Sequence, residues 1–201
     1  MNLSEMTARI RKDLHDDDAG NYQWTDDELT RHINRAVREL SEKVPLPARA
    51  TLPTTPGSRQ IDLSSLTNRV MVQAVEYPVD GSPPQYQRFS IWGDNLNLLG
   101  SAEADGSNCY IYFGVLHTLD ANGSTIPTQY EDLVATGVCG YAAIEWAAFA
   151  INRVNVGGVM TPREYRIWGN ERLKAFKTGL KKLGRRQRIR TQQLFISDEE
   201  S

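Results

Sequence analysis

The spacing of apolar residues along this chain is helical, then alternating, then helical again. Leu3, Met6, Ile10 and Leu14 recur at three- and four-residue intervals, which predicts a short amphipathic helix over 2–15. The run from Asp16, Asp17 and Asp18 to Asn21 ends it and reads as a solvated turn. Trp24 then precedes Thr25-Asp26-Asp27-Glu28, the form of a capping box with Thr25 as N-cap and Glu28 as its partner. Trp24 is placed to staple onto Leu29. Leu29, Ile33, Ala36, Val37, Leu40 and Val44 form the buried face of this second helix, and Pro45 and Pro47 stop it. Together the two segments predict an antiparallel pair of helices.

From Ala48 the pattern changes. Residues 51–57 are rich in Pro and Thr and read as loop. Period-two runs follow at 60–63, 69–77, 85–92, 95–99 and 108–117, with polar and Gly-containing stretches between them. They predict a small antiparallel sheet of about four or five strands, including a hairpin that turns at Gly93-Asp94.

Helical spacing returns at Ile126. Thr128-Gln129-Tyr130-Glu131 has capping-box form, and Leu133, Val134, Val138, Tyr141, Ile144, Ala148 and Ile151 follow at helical intervals. Ala135, Gly137, Gly140, Ala142, Ala143 and Ala147 lie between them. A helix apolar on most sides belongs at the centre of a helical layer, and its small residues admit neighbours closely. Glu131, Asp132, Glu145 and Arg153 interrupt or bound it, which argues against a membrane span. Residues 154–160, with Gly157-Gly158, read as a tight connector. Thr161-Pro162-Arg163-Glu164 then combines an N-cap, a proline at the first helical position and a glutamate at the third. Tyr165, Trp168, Leu173, Phe176, Leu180 and Leu183 supply the apolar stripe of a last helix, which Gly184 ends or kinks.

The prediction is an α+β chain. A bundle of about four helices carries an antiparallel β insertion between its second and third helices, and an extended C-terminal tail follows. The boundaries fall at 1–47 for the helical hairpin, 48–125 for the insertion, 126–184 for the helices completing the body and 185–201 for the tail.

Composition adds one feature. Charged residues make up 24% and hydrophobic ones 40%, the balance of an ordinary globular domain, and the net charge is −2. That small value hides an asymmetry. Asp13, Asp16, Asp17, Asp18, Asp26, Asp27 and Glu28 crowd the first part of the chain. Arg172, Lys174, Lys177, Lys181, Lys182, Arg185, Arg186, Arg188 and Arg190 crowd the last. Such polarity suits a nucleic acid, an acidic protein or head-to-tail packing of identical subunits.

Motifs for chemistry are scarce. His15, His32 and His117 have no metal-ligand spacing, and the triple aspartate lacks the spaced oxygens of a cation loop. No phosphate-cradling glycine loop or nucleophile elbow is present. The pattern therefore gives no catalytic residue, no metal and no cofactor, and no reason to expect an enzyme. Cys109, on a strand, and Cys139, in the buried helix, read as reduced, space-filling thiols. The N-terminus lacks an apolar leader, so a soluble protein in a reducing compartment is expected. His32 is expected at a surface or boundary position, and Glu145 is expected to pair with a cation of the last helix. Phe176 belongs to the apolar stripe, which leaves the basic segment without a stacking platform for bases.

The succession of Trp24–Leu29, a β insertion, Ile126–Leu133 opening a long Ala- and Gly-rich helix, and Thr161–Lys174 resembles the bacteriophage head–tail connector adaptors, also called head-completion proteins. The resemblance implies a structural virion protein made in the host bacterial cytoplasm and located in the virion neck, with no membrane partner. It implies a ring of usually about twelve copies below the portal protein, extending the DNA channel and offering a platform to the tail or the next neck protein. Genomic DNA would pass through without specific binding. The tail residues Arg185, Arg186, Arg188, Leu194, Phe195 and Ile196 would dock on the portal, and the insertion around Tyr77–Leu99 would face the tail or a neighbouring subunit. Either the Asp16–Asp18 loop or the insertion would line the channel, with the basic helix pointing away from DNA. The other reading is a DNA-binding or packaging accessory protein that uses the basic C-terminal region.

Overall fold

The computed structural model describes residues 1–100, 103–150 and 161–193, the last stretch with side chains to 187. The chain divides into a helical unit, Met1–Val44 with His117–Gly184, and a β unit, Pro45–Leu116, with which the residues from Arg185 onward are grouped. It is α+β, with four helices and two small antiparallel sheets among the described residues.

In the helical unit, α1 (Leu3–Asp13) starts at Asn2, whose side chain and that of Glu5 form a reciprocal cap. Helix α2 (Asp26–Lys43) starts at the expected box of Thr25 and Glu28. Met6, Ile10, Trp24, Leu29, Ile33, Ala36 and Leu40 are buried together with Val134, Val138, Phe176 and Leu180. The Trp24 indole N–H donates to the Ala142 carbonyl at 3.2 Å, so the residue before α2 is tied to the middle of the central helix.

That central helix, α3 (Glu131–Ala150), is reached through a 3-10 turn, Thr128–Tyr130. The expected cap at Thr128 does not form. No side chain caps this turn, and the Glu131 carboxylate is buried 3.3 Å from the Met1 amino group. Although α3 is long and apolar enough to cross a membrane, Val134, Val138, Cys139, Ala142 and Ala143 are buried in the core of this unit.

Helix α4 (Pro162–Gln193) begins with the predicted Thr161–Glu164 box. Its contact with α3 is close because glycines face side chains. A Cβ on Gly137 would lie 2.8 Å from the Phe176 ring, and one on Gly140 would lie 2.8 Å from Leu173 and 3.0 Å from the Gly169 carbonyl. The helix does not end at Gly184, and it runs through the first nine residues assigned to an extended tail. A single glycine lowers helix propensity by about 1 kcal/mol without breaking the hydrogen-bond ladder. The Gly157-Gly158 connector lies outside the described residues.

The β unit holds two three-stranded sheets where the sequence predicts one. The first has the order β1 (Leu46–Pro53), β6 (Asn108–Val115), β3 (Arg69–Glu76). The second has the order β2 (Gln60–Asp62), β5 (Asn95–Leu98), β4 (Phe89–Trp92). Strand β1 takes in the first three residues of the predicted loop, 51–53. Its prolines, Pro47 and Pro53, sit on an edge strand, where a missing N–H breaks no ladder bond on the open side. Leu52, Val75, Cys109 and Ile111 from one sheet share a core with Ile61, Leu96 and Leu98 from the other. Gly93 turns the β4–β5 hairpin at φ +59°, as its sequence predicts. Arg69 reaches from β3 to the Leu63 carbonyl and to Asp94 in that turn.

The chain leaves the helical unit at Val44 and returns at His117. The His117 amide donates to the Ser41 hydroxyl at 2.9 Å, and its ring Nε2 lies 2.9 Å from the Val44 carbonyl. Nδ1 lies 3.0 Å from the Thr125 carbonyl, so both ring nitrogens are engaged.

Candidate assembly surfaces

The most strongly charged surface is the outer side of α4. Phe176 and Leu180 point into the core, whereas Arg163, Lys174, Lys177, Lys181 and Arg185 are exposed. At 100° per residue those five fall within an arc of about 80°. Lys182 lies about 60° beyond one edge of it and Arg166 about 20° beyond the other, and both are exposed. Among the described residues none of these cations forms an ion pair. Asn170, Leu173, Lys174, Lys177, Thr178 and Lys181 line a shallow groove of about 440 Å³ on this face. Phe176 is fully buried, so the face carries no stacking aromatic from that position.

Of the tail residues expected to dock, Arg185 and Arg186 are exposed on α4, and the backbone of Arg188 continues the same helix. The helical course brings Arg185 onto the line of Lys174, Lys177 and Lys181, which an extended tail would not. Leu194, Phe195 and Ile196 lie outside the described residues.

The acidic turn between α1 and α2 differs from its sequence reading. Asp16 is not solvated. Its carboxylate is buried, pairs with Arg11, and accepts the Gln23 amide at 2.6 Å. Arg11 is itself buried; it also donates to the Trp24 carbonyl at 2.9 Å and to Asp26 at 2.7 Å, and the Tyr22 ring lies over its guanidinium. An arginine with three acceptors fixes the geometry of the turn. Asp13, Asp17, Asp18 and Asp27 remain exposed, and among the described residues none of them is ion-paired. Lys12 is the exposed cation next to them in sequence. The signal for the buried pair was the spacing of Arg11 and Asp16 across the helix end, but spacing alone does not separate one aspartate of a run from its neighbours.

A polar cluster joins α2 to α3. His32 is buried, against the expectation of a surface position; its Nε2 lies 3.0 Å from a Glu145 oxygen, and its ring stacks on Tyr141. Glu145 also pairs with Arg31, so its cations come from α2 and not from α4 as expected. Tyr141 donates to Glu39, and burial together with that acceptor pushes its hydroxyl up to about 12. Burial holds the His32 imidazole below its usual value; Glu145 opposes this, while Arg31 and Arg35 add to it. The unfolded chain thus binds a proton at His32 more readily than the folded one. Stability present above about pH 6.5 is therefore lost as the pH falls through that value toward the lower folded one. In urea titrations at pH 7.5 and 5.5, His32→Gln is expected to lose less stability on acidification than wild type. Equal losses would rule this account out.

In the β unit the most exposed apolar residues lie on the second sheet and its flank, while Met71 on β3 and Leu116 are exposed elsewhere. Trp92 is 85% exposed at the hairpin tip, with Ile91 and Leu99 also exposed. Strand alternation hides only one face of a sheet that is covered on one side, which leaves Trp92 outward. On the first sheet, Tyr112 donates to buried Glu76 at 2.6 Å and Tyr110 to Asp80 at 3.2 Å.

Nucleophile chemistry has little support in this arrangement. Cys109 and Cys139 are buried free thiols, and burial pushes Cys139 up to about 12 and Cys109 in the same direction. Such thiols stay protonated at neutral pH. Among the described residues no group of three or more His, Cys, Asp or Glu side chains is placed to hold a metal ion.

Residues 1–192 match the model of a protein family described as SU10 adaptor protein. No curated protein matches the chain.

Proposed function

We propose, because this chain belongs to the SU10 adaptor protein family of bacteriophage head–tail adaptors, that it forms a ring below the portal protein, extends the DNA channel and provides the platform on which the tail attaches. The observation that carries this reading is a family match spanning residues 1–192, which takes in both units and nearly all of α4. The surfaces are consistent with assembly. They comprise a basic face without ion pairs among the described residues, a turn with four exposed aspartates and an exposed hydrophobic hairpin tip, each suited to meeting another protein.

In this reading the end of the chain, from Arg185 and Arg186 through Arg188 to Leu194, Phe195 and Ile196, docks on the portal. The hairpin tip at Trp92 faces the tail side or the neighbouring subunit. The basic face of α4 is turned away from DNA, because a lumen of free lysines would hold phosphates and slow passage. Asp16 is not a channel-lining group, since its carboxylate is buried against Arg11. The exposed Asp17 and Asp18, or the β unit, remain to line the channel.

Co-assembly with the portal of its own virus tests the proposal. Full-length chain is expected to add a ring visible by electron microscopy. A chain ending after Gln193, which keeps α4 whole, and one ending after Gly184 are both expected to lose it. If neither the full-length chain nor either truncation associates with the portal, the adaptor reading fails. The unpaired cations of α4 favour DNA binding as the second reading, which strong, salt-sensitive retention of duplex DNA by the free chain would support.

A further inference from the structure

We propose that the basic face of α4 is a docking surface for a second copy of this chain, which presents the acidic turn between its own α1 and α2. The inference deepens the ring reading and rests on it. It names the two faces through which neighbouring copies meet, and of the two candidates for lining the channel it leaves the β unit.

The argument starts from what the fold leaves unpaired. Along α4, Arg163 to Lys181 spans about 27 Å at 1.5 Å per residue, and the exposed cations on this line have no acidic partner among the described residues. The two glutamates of α4, Glu164 and Glu171, sit roughly 80–100° from the middle of that arc by the same helical geometry. On the acidic side, Arg11 pairs with both Asp16 and Asp26, so that this cluster keeps a net negative charge. That leaves Asp13, Asp17, Asp18 and Asp27 exposed, with Lys12 beside them. Both patches belong to the helical unit, yet no ion pair joins them among the described residues. Opposite charges that form no ion pair within one copy, among the described residues, are available between two copies. A contact joining one face to a different face is the heterologous kind that closes into rings.

The groove on α4 favours this occupant. Its rim of Lys174, Lys177 and Lys181, with Asn170 and Thr178 as hydrogen-bonding groups and Leu173 beneath, suits carboxylates carried on a turn. Phe176 is buried and Trp168 is partly covered, with Arg172 over its ring, so the groove offers no platform for stacked bases. A net charge of −2 also gives the whole chain no long-range attraction for duplex DNA.

Charge reversal tests the contact. One variant carries Lys174→Glu, Lys177→Glu and Lys181→Glu; the second carries Asp13→Lys, Asp17→Lys and Asp18→Lys; the third carries all six. Thermal melts by circular dichroism confirm that each folds. On the portal, wild type forms rings and each triple variant is expected to lose subunit association by at least about 100-fold near 0.1 M salt. The sixfold variant, or a mixture of the two triples, regains it. Rings formed by all variants alike would overturn the inference and leave the adaptor reading intact. So would loss on lysine reversal that the sixfold variant does not repair, which would assign the α4 face to the portal or to DNA. If wild type forms no ring on the portal, the adaptor reading fails, and the contact is then read in the free chain. Asp17→Cys mixed with Lys177→Cys is expected to give a disulfide-linked heterodimer on mild oxidation, since the native thiols are buried. No enrichment over either variant alone would overturn it.

Discussion

Arg11→Ala is expected to lower the stability of the helical unit by about 3–5 kcal/mol, the loss typical of breaking a buried ion pair from one side. The side chain is small in exposed area and large in consequence. Arg11 and Asp16 are 6% and 3% exposed, so removing the guanidinium leaves a carboxylate that water does not reach. The Trp24 carbonyl and Asp26 lose a donor in the same step, and Tyr22 loses the group it lies over. Asp16 keeps the Gln23 amide, which limits the damage but does not neutralise the charge. Adding Asp16→Asn to Arg11→Ala is expected to recover part of the loss, because asparagine keeps an acceptor without the charge. Urea unfolding followed by circular dichroism gives both numbers. A loss below about 1 kcal/mol for the single variant would place the pair among ordinary surface salt bridges.

The second large effect is at the contact of α3 with α4. Phe176→Ala is expected to cost about 3–5 kcal/mol, the usual range for deleting a buried phenylalanine. Phe176 is fully buried and its ring covers bare backbone at Gly137, so no side chain is at hand to fill the space. The reciprocal change, Gly137→Val, places a Cβ 2.8 Å from the nearest carbon of the ring, and overpacking the same interface costs about 1–3 kcal/mol. Because both act on one contact, the double variant is expected to lose less than the sum of the singles. Strict additivity in unfolding measurements would mean that the ring and the glycine do not act as a pair. A loosened α4 keeps Lys174, Lys177 and Lys181 on one helical line but no longer holds that line fixed against α3.

The elements that were legible in the sequence are those set by local chemistry. Thr25 with Glu28 and Thr161 with Glu164 cap their helices as their spacing predicts, because both partners lie within one turn. The same pattern at Thr128 and Glu131 misleads, since Glu131 has a partner distant in sequence, the Met1 amino group. His32 shows the same limit. Its burial depends on Glu145 and Tyr141, more than a hundred positions along the chain, and no periodicity on α2 reports them. The two prolines of β1 hid a strand that only its edge position makes tolerable. The basic line on α4 was visible as a run of charge. That it is one helical face reaching past Gly184 became clear only once α4 was seen to continue.

His117 beside Val44 gives the chain a property beyond holding a loop in place. The point where the backbone departs for the β unit and the point where it comes back are hydrogen-bonded neighbours, closed by Ser41, Val44 and Thr125. A segment of any length can be threaded between two such adjacent ends at little further entropic loss, since lengthening a closed loop twofold adds only about 0.6 kcal/mol. The helical unit is thus a socket, and the β unit is a cartridge that evolution can enlarge, trim or exchange while the helices keep their packing.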